Sequence, residues 1–274
     1  MTAPEERSAR GRLRRGIYLL PSVFTIGNMV LGFYAMVLAM RGDYRPAVLC
    51  IFAAAFLDSL DGRLARVTQT ASEFGREYDS LADVVTFGVA PAFLVYSWGL
   101  YELGRIGWIL PVFYLVSTAT RLARFNVQTK VLDKRFFVGL PAPAAAGALG
   151  SILYFADGRQ FAGVETTPQL VLLTGCVVLG LLMVSSFRYY SFKELDPRRR
   201  WSFRVALPVA AVLLLILLSP AWFFLTASSA YALSGPVLWL RGLWRRRGDA
   251  PGTEERDAGG DEPAELDPAP DQRG

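Results

Sequence analysis

The chain has 274 residues, 53% of them hydrophobic, and no histidine, which removes histidine bases, Ser-His triads and histidine metal ligands. Apolar runs of about twenty residues recur, long enough to cross a bilayer as helices, so a soluble domain is excluded; a β-barrel is excluded because it would show ten-residue alternating segments. The formal net charge of +5 sits in basic clusters between those runs, and Cys50 and Cys176 form no CxxC pair, so a metal here would take oxygen ligands and be a hard cation such as magnesium or manganese.

The chain opens with MTAPEERSARGRLRR, a polar, basic stretch without the features of a cleavable signal. About eight apolar spans follow by length, with ends set to within a few residues. They run over 21–40, 46–66, 76–100, 105–125, 141–156, 167–187, 204–218 and 221–240. The fifth is short and alanine-rich. The last two are separated only by Ser219-Pro220, which requires a tight turn or a re-entrant pair. The fold class is therefore all-α: a polytopic helical membrane protein with a six-helix core and a C-terminal helical hairpin.

Lysine and arginine in short loops stay on the cytoplasmic side. With both termini inside, the inner segments hold Arg66, Arg76, Arg121, Arg124, Lys130, Lys134 and Arg135, then Arg188, Lys193 and Arg198 to Arg200. The outer loops hold only Arg41, Arg45, Arg105 and Arg159. The tail after Arg247 is acidic and rich in Pro, Gly and Ala, a composition that predicts disorder. Four regions result: a basic N-terminal cytoplasmic segment (1–16), a membrane domain (17–190), a basic loop with a C-terminal transmembrane hairpin (191–244) and the acidic tail (245–274).

The stretch LDSLDGRLARVTQTASEFGREYDSLAD, Leu57 to Asp83, places four aspartates where apolar residues belong. One ionisable side chain at mid-membrane costs roughly 2.5–3.5 kcal/mol on insertion scales. Asp58 and Asp61 are three apart and Asp79 and Asp83 four apart, so each pair shares a helix face. Two antiparallel helices would bring all four carboxylates to a common point. Without a counter-ion they repel. A pair of divalent cations about 3.5–4 Å apart resolves the repulsion and is a standard device of phosphoryl chemistry. The plainer arrangement pairs the aspartates with Arg63, Arg66 and Arg76; four acids at paired helical spacings argue against it.

The residues read D-x2-D-G-x2-A-R-x8-G-x3-D-x3-D, which resembles the signature of the CDP-alcohol phosphatidyltransferases. That resemblance implies two divalent ions, Mg2+ or Mn2+, held by Asp58, Asp61, Asp79 and Asp83, with Asp83 as the base. It implies a nucleotide and diphosphate site at Gly62, Ala65, Arg66 and Gly75, joined by Thr25 and Asn28. Gly62, Ala65 and Gly75 are small enough for a nucleotide to approach the backbone, and Arg66 offers a planar fork to the diphosphate. One departure stands before the first span, where the family often has Pro-Asn and this chain has Pro21-Ser22.

TRLARFNV (Thr120–Val127), FFVGLPAPAAAG (Phe136–Gly147) and LADVVTFGVAPAFLVY are similar to the phosphatidylserine synthase branch of that family. The similarity covers roughly residues 17–190. It implies CDP-diacylglycerol and L-serine as substrates, an acceptor site at Arg121, Arg124 and Asn126, membrane lipids and a second copy of the chain as partners, and no nucleic acid. It implies a multi-pass protein of the inner or cell membrane with its site facing the cytoplasm. Two arginines would equally suit a phosphate-bearing acceptor, so glycerol 3-phosphate or inositol phosphate remain alternatives. A cation or small-solute transporter would spread polar groups through the membrane depth and show repeated halves; here the acids gather at one end.

Overall fold

The computed structural model describes residues 23–68, 73–128, 136–157, 167–190, 210, 214–215 and 217–248. The basic N-terminal segment with Pro21-Ser22, most of the seventh expected span and the acidic tail lie outside the described residues, as do the side chains of Asp61, Gly62, Ala65 and Arg66. The architecture is all-α. Helix α1 (Val23–Met40) leads through a turn at Gly42 (φ 82°) into α2 (Tyr44–Thr68). Helix α3 (Glu73–Asp83) runs through a π-helical segment (Val84–Val89) into α4 (Ala90–Trp98), and a short 3-10 turn leads to α5 (Gly104–Gln128). Then come β1 (Phe136–Val138), α6 (Ala142–Asp157), α7 (Thr167–Val184), β2 (Arg188–Tyr190) and α8 (Pro220–Gly248).

Among the described residues, four helical stretches are long and apolar enough to span a bilayer: Val23–Met40, Glu73–Trp98, Leu100–Val127 and Thr167–Val184. Large apolar side chains such as Phe33, Ile106, Val116 and Leu181 lie on the outside of the bundle, as lipid-facing residues do. The protein is a polytopic helical membrane protein. Helix α2 has spanning length, but it carries the first aspartate pair and its neighbouring arginines.

The alanine-rich fifth span is the centre of the bundle. Ten of the sixteen residues of α6 are buried, nearly all of them Ala, Gly or Ser. Small side chains let neighbouring helices approach closely where lipid offers no hydrophobic driving force. Helices α2, α7 and α8 all pack on α6. The ring of Phe52 on α2 stacks on Phe224 of α8, with centroids 4.1 Å apart.

Pro91 opens α4 and has no N–H to give the carbonyl one turn back. The fully buried Tyr114 of α5 supplies the donor instead: its hydroxyl reaches the Phe87 carbonyl at 3.0 Å. The π segment also meets α1 backbone to backbone. A Cβ at Gly32 would lie 2.8 Å from Thr86 Cα, and the Thr86 hydroxyl donates to the Asn28 carbonyl at 3.1 Å.

Strands β1 and β2 pair antiparallel, Phe137 opposite Tyr189. This ribbon joins the chain entering α6 to the chain leaving α7. Gly139 follows β1 with φ 82°, and a side chain there would run into the Met183 carbonyl. Its N–H donates to the Phe187 carbonyl at 2.9 Å, and Leu140 N–H donates to Leu182 at 3.0 Å. The bend at Gly139-Leu140-Pro141 is thus pinned to the end of α7. Tyr189 is fully buried, packs beside Tyr231 and donates to the Ala232 carbonyl at 3.2 Å. Burial pushes its phenol up to about 12, so it stays a neutral donor.

At Ser219 the two helical segments share one residue. Its N–H donates to Leu215 and its carbonyl accepts from Phe223 N–H, so it ends one segment and caps the next. Pro220 stands at the first helical position of α8, where its missing N–H costs nothing.

Candidate active site

The site lies where the C-terminal turns of α2 and α5 meet the N-terminal turns of α1 and the body of α3. Asp58 comes from α2, Asp79 and Asp83 from α3. One carboxylate oxygen from each lies within 4.8 Å of the others. Asp83 is buried, and Asp58 and Asp79 are half-buried. Asp61 stands one turn beyond Asp58 on the same helix, with its side chain outside the described residues.

Buried Asn28 of α1 donates through Nδ2 to Asp83 Oδ1 at 3.2 Å. Thr25 is buried one turn earlier on α1. Among the described residues, buried Asp79 Oδ1, Asn28 Oδ1 and Arg121 Nε have no hydrogen-bond partner, and the same is true of Arg76 Nε on α3. A buried polar atom left unpaired costs about 1–3 kcal/mol, so such atoms in a cleft point to a ligand or ion. An all-oxygen set of close carboxylates, one oxygen unpartnered, fits a hard divalent cation.

Of the helix-end arginines that could neutralise these acids, Arg63 and Arg66 have side chains outside the described residues. The ion pair that Arg76 makes among the described residues is with Glu77, at 3.4 Å. Gly75 lies on α3 one turn before Asp79.

The two arginines of TRLARFNV part company. Arg121 is buried and faces Asp83, Tyr231 and Asp58 electrostatically, with its guanidinium 5.8 Å from the Phe125 ring. Arg124 instead donates to the Val184 carbonyl at 3.3 Å, at the C-terminus of α7, a position that suits a cation. Asn126 is held by α3: its Nδ2 reaches Glu77 Oε2 and Ser80 Oγ, each at 3.0 Å. The fold therefore gathers Asp58, Asp79, Asp83, Asn28 and Arg121, and turns Arg124 and Asn126 to other helices.

Sequence reasoning missed Tyr231, which α8 brings beside Arg121. It also missed Glu77 and Ser80. Their signal was available, because three-residue spacing puts both on one face of α3, away from the aspartate pair.

A carboxylate cluster and a buried arginine thus sit at one end of a helical membrane bundle, a site of a kind suited to a charged group at the membrane surface. Residues 18–182 match the family model of the CDP-alcohol phosphatidyltransferases, and the chain belongs to that family. It is similar to a CDP-diacylglycerol–serine O-phosphatidyltransferase of Helicobacter pylori, 36% identical over 224 residues, covering 82% of this chain and 92% of that one. The enzyme of that name from Bacillus subtilis is 38% identical over 175 residues, covering 64% of this chain and 92% of its own. The one from Methanocaldococcus jannaschii is 30% identical over 229 residues, covering 83% and 98%.

Proposed function

We propose that the protein transfers the phosphatidyl group of CDP-diacylglycerol to the hydroxyl of L-serine, giving phosphatidylserine and CMP. The observation that carries this reading is the convergence of Asp58, Asp79 and Asp83 beside the buried Arg121. The names of the similar enzymes support serine as acceptor.

Asp58, Asp61, Asp79 and Asp83 would hold two divalent ions, magnesium or manganese. Bound there, such ions offset the negative charge of the diphosphate and of the departing CMP oxygen. Gly62, Ala65 and Gly75 leave room for the nucleotide, and Arg66 forks onto the diphosphate. Thr25 and Asn28 line the same end; Asn28 Oδ1, buried and unpartnered, suits a nucleotide N–H donor.

Arg121 receives the serine carboxylate, which sets the hydroxyl beside Asp83. Asp83 takes the hydroxyl proton. The serine oxygen attacks the phosphorus that bears diacylglycerol, the new P–O bond forms and the bond to CMP breaks. Asn28 keeps the Asp83 carboxylate aimed during this transfer. With no histidine in the chain and the acids in use, displacement is direct and passes through no phosphatidyl-enzyme.

Only one guanidinium of the Arg121 and Arg124 pair faces Asp83. That favours a carboxylate over the phosphate of glycerol 3-phosphate or inositol phosphate. In the same reading the bundle spans the membrane about eight times, acts as a homodimer and opens its site to the cytoplasm.

The test uses purified protein in detergent with CDP-diacylglycerol, magnesium or manganese, and each acceptor in turn. CMP release and the lipid product are followed. Serine should be used; preference for either phosphorylated acceptor at equal concentration would overturn the acceptor assignment.

A further inference from the structure

Helix α3 carries two of the aspartates, yet it is weakly held. Its buried residues are Ala82 and Asp83, both in its last turn. Phe74 and Leu81 are exposed to 79% and 65%, so apolar packing does not decide which way the first two turns face. Its C-terminal neighbour is the π-helical segment, a wider and poorer hydrogen-bonded winding than an α-helix. The winding sets the average phase of α3 relative to α4, and contacts made by α3 itself bear on how firmly its first turns hold that phase.

Asn126, on α5, is placed to make such contacts. Its amide gives one hydrogen to Glu77 Oε2 at 3.0 Å and the other to Ser80 Oγ at 3.0 Å. Ser80 then donates to the Arg76 carbonyl at 3.1 Å. Glu77 and Ser80 stand roughly a third of the way round the helix from the Asp79 and Asp83 face. A bond there holds the azimuth of the helix. Five residues earlier on the same α5, Arg121 faces Asp83 and Asp58, so one rigid helix would align both the acids and the arginine.

We infer that Asn126, with Glu77 and Ser80, is a positioning clasp that holds the rotation of α3 and so keeps Asp79 and Asp83 aimed at Asp58. The role replaces acceptor contact, the part the sequence motif implied for Asn126. It rests on the reading of the aspartate cluster as a cation site.

The experiment uses the full chain in lipid nanodiscs with Mn2+ alone, its binding followed by electron paramagnetic resonance without substrate. Asn126→Ala should weaken Mn2+ binding by about 10–100-fold, the usual effect of losing an outer partner of a metal site. Glu77→Ala should do the same, while Glu77→Gln, whose amide oxygen still accepts, should keep near-normal binding. In turnover, Asn126→Ala should lower kcat and leave the KM for serine within about twofold. If Asn126→Ala does not insert, Glu77→Ala and Glu77→Gln carry the same comparison. Normal Mn2+ binding in Asn126→Ala with a raised serine KM would overturn the clasp alone. Wild-type protein that takes up no Mn2+ would overturn the cation reading and the clasp together.

Discussion

Asn28 of α1 donates a hydrogen bond to the carboxylate of Asp83, 55 residues further on, across 3.2 Å of buried space. The bond fixes which oxygen of Asp83 faces the other acids. Asn28→Ala should lower kcat by about 10–100-fold, as lost partners of functional carboxylates do. Asn28→Asp should be worse, because a further negative charge joins the cluster. Steady-state CMP release measures both; an Asn28→Ala enzyme running at the normal rate would show that Asp83 needs no such guide.

Close carboxylates with an unpartnered buried oxygen call for cations. Activity should vanish in excess EDTA and return with magnesium or manganese. Asp58→Asn, Asp61→Asn and Asp79→Asn should each lose most activity while inserting normally. Full CMP release from any two of these variants would remove the cluster from the chemistry.

The pairing of Tyr114 with Pro91 is open to a double-mutant test. Tyr114→Phe leaves the buried Phe87 carbonyl without its donor and should cost about 1–3 kcal/mol of stability. Thermal unfolding in detergent reads this as a lowered midpoint. Adding Pro91→Ala returns a backbone N–H and should recover part of the loss. If the two losses simply add, the hydroxyl does not stand in for the missing N–H.

Arg121 presents a planar fork in a buried setting, and lysine would replace it by a point charge. Arg121→Lys should raise the KM for serine more than it lowers kcat. Serinol, which lacks the carboxylate, should be a poor acceptor for the unaltered enzyme. Serinol working as well as serine would free Arg121 from any acceptor role.

The aspartate pairs were legible because helical periodicity alone puts residues three and four apart on one face. Span positions were legible from apolar length: α1, α2, α5, α6 and α7 begin and end close to the expected limits, while the single run expected over 76–100 is divided into α3 and α4 by the π-helical segment. The fifth run is short and alanine-rich, and small size is what a central membrane helix requires. Arg121 and Arg124 show the limit of spacing arguments. Both lie on one face of α5, but each long side chain settles according to what α3 and α7 present to it. The three-residue ribbon and the part played by Tyr231 depend on partners far along the chain, so no local pattern announces them.

The π-helical segment from Val84 to Val89 has a consequence for mutational tolerance. One extra residue in that winding puts α3 and α4 out of phase by about 100°, the angle of a single α-helical residue. One half of the rod can then face Asp58 while the other faces α6. Deleting any single residue in this window should restore uniform winding and swing the acids away, with every side chain needed for the reaction still encoded. A deletion scan would find the window as intolerant as the aspartates, although most substitutions there that keep size and polarity should pass. In this stretch the heritable information is chain length.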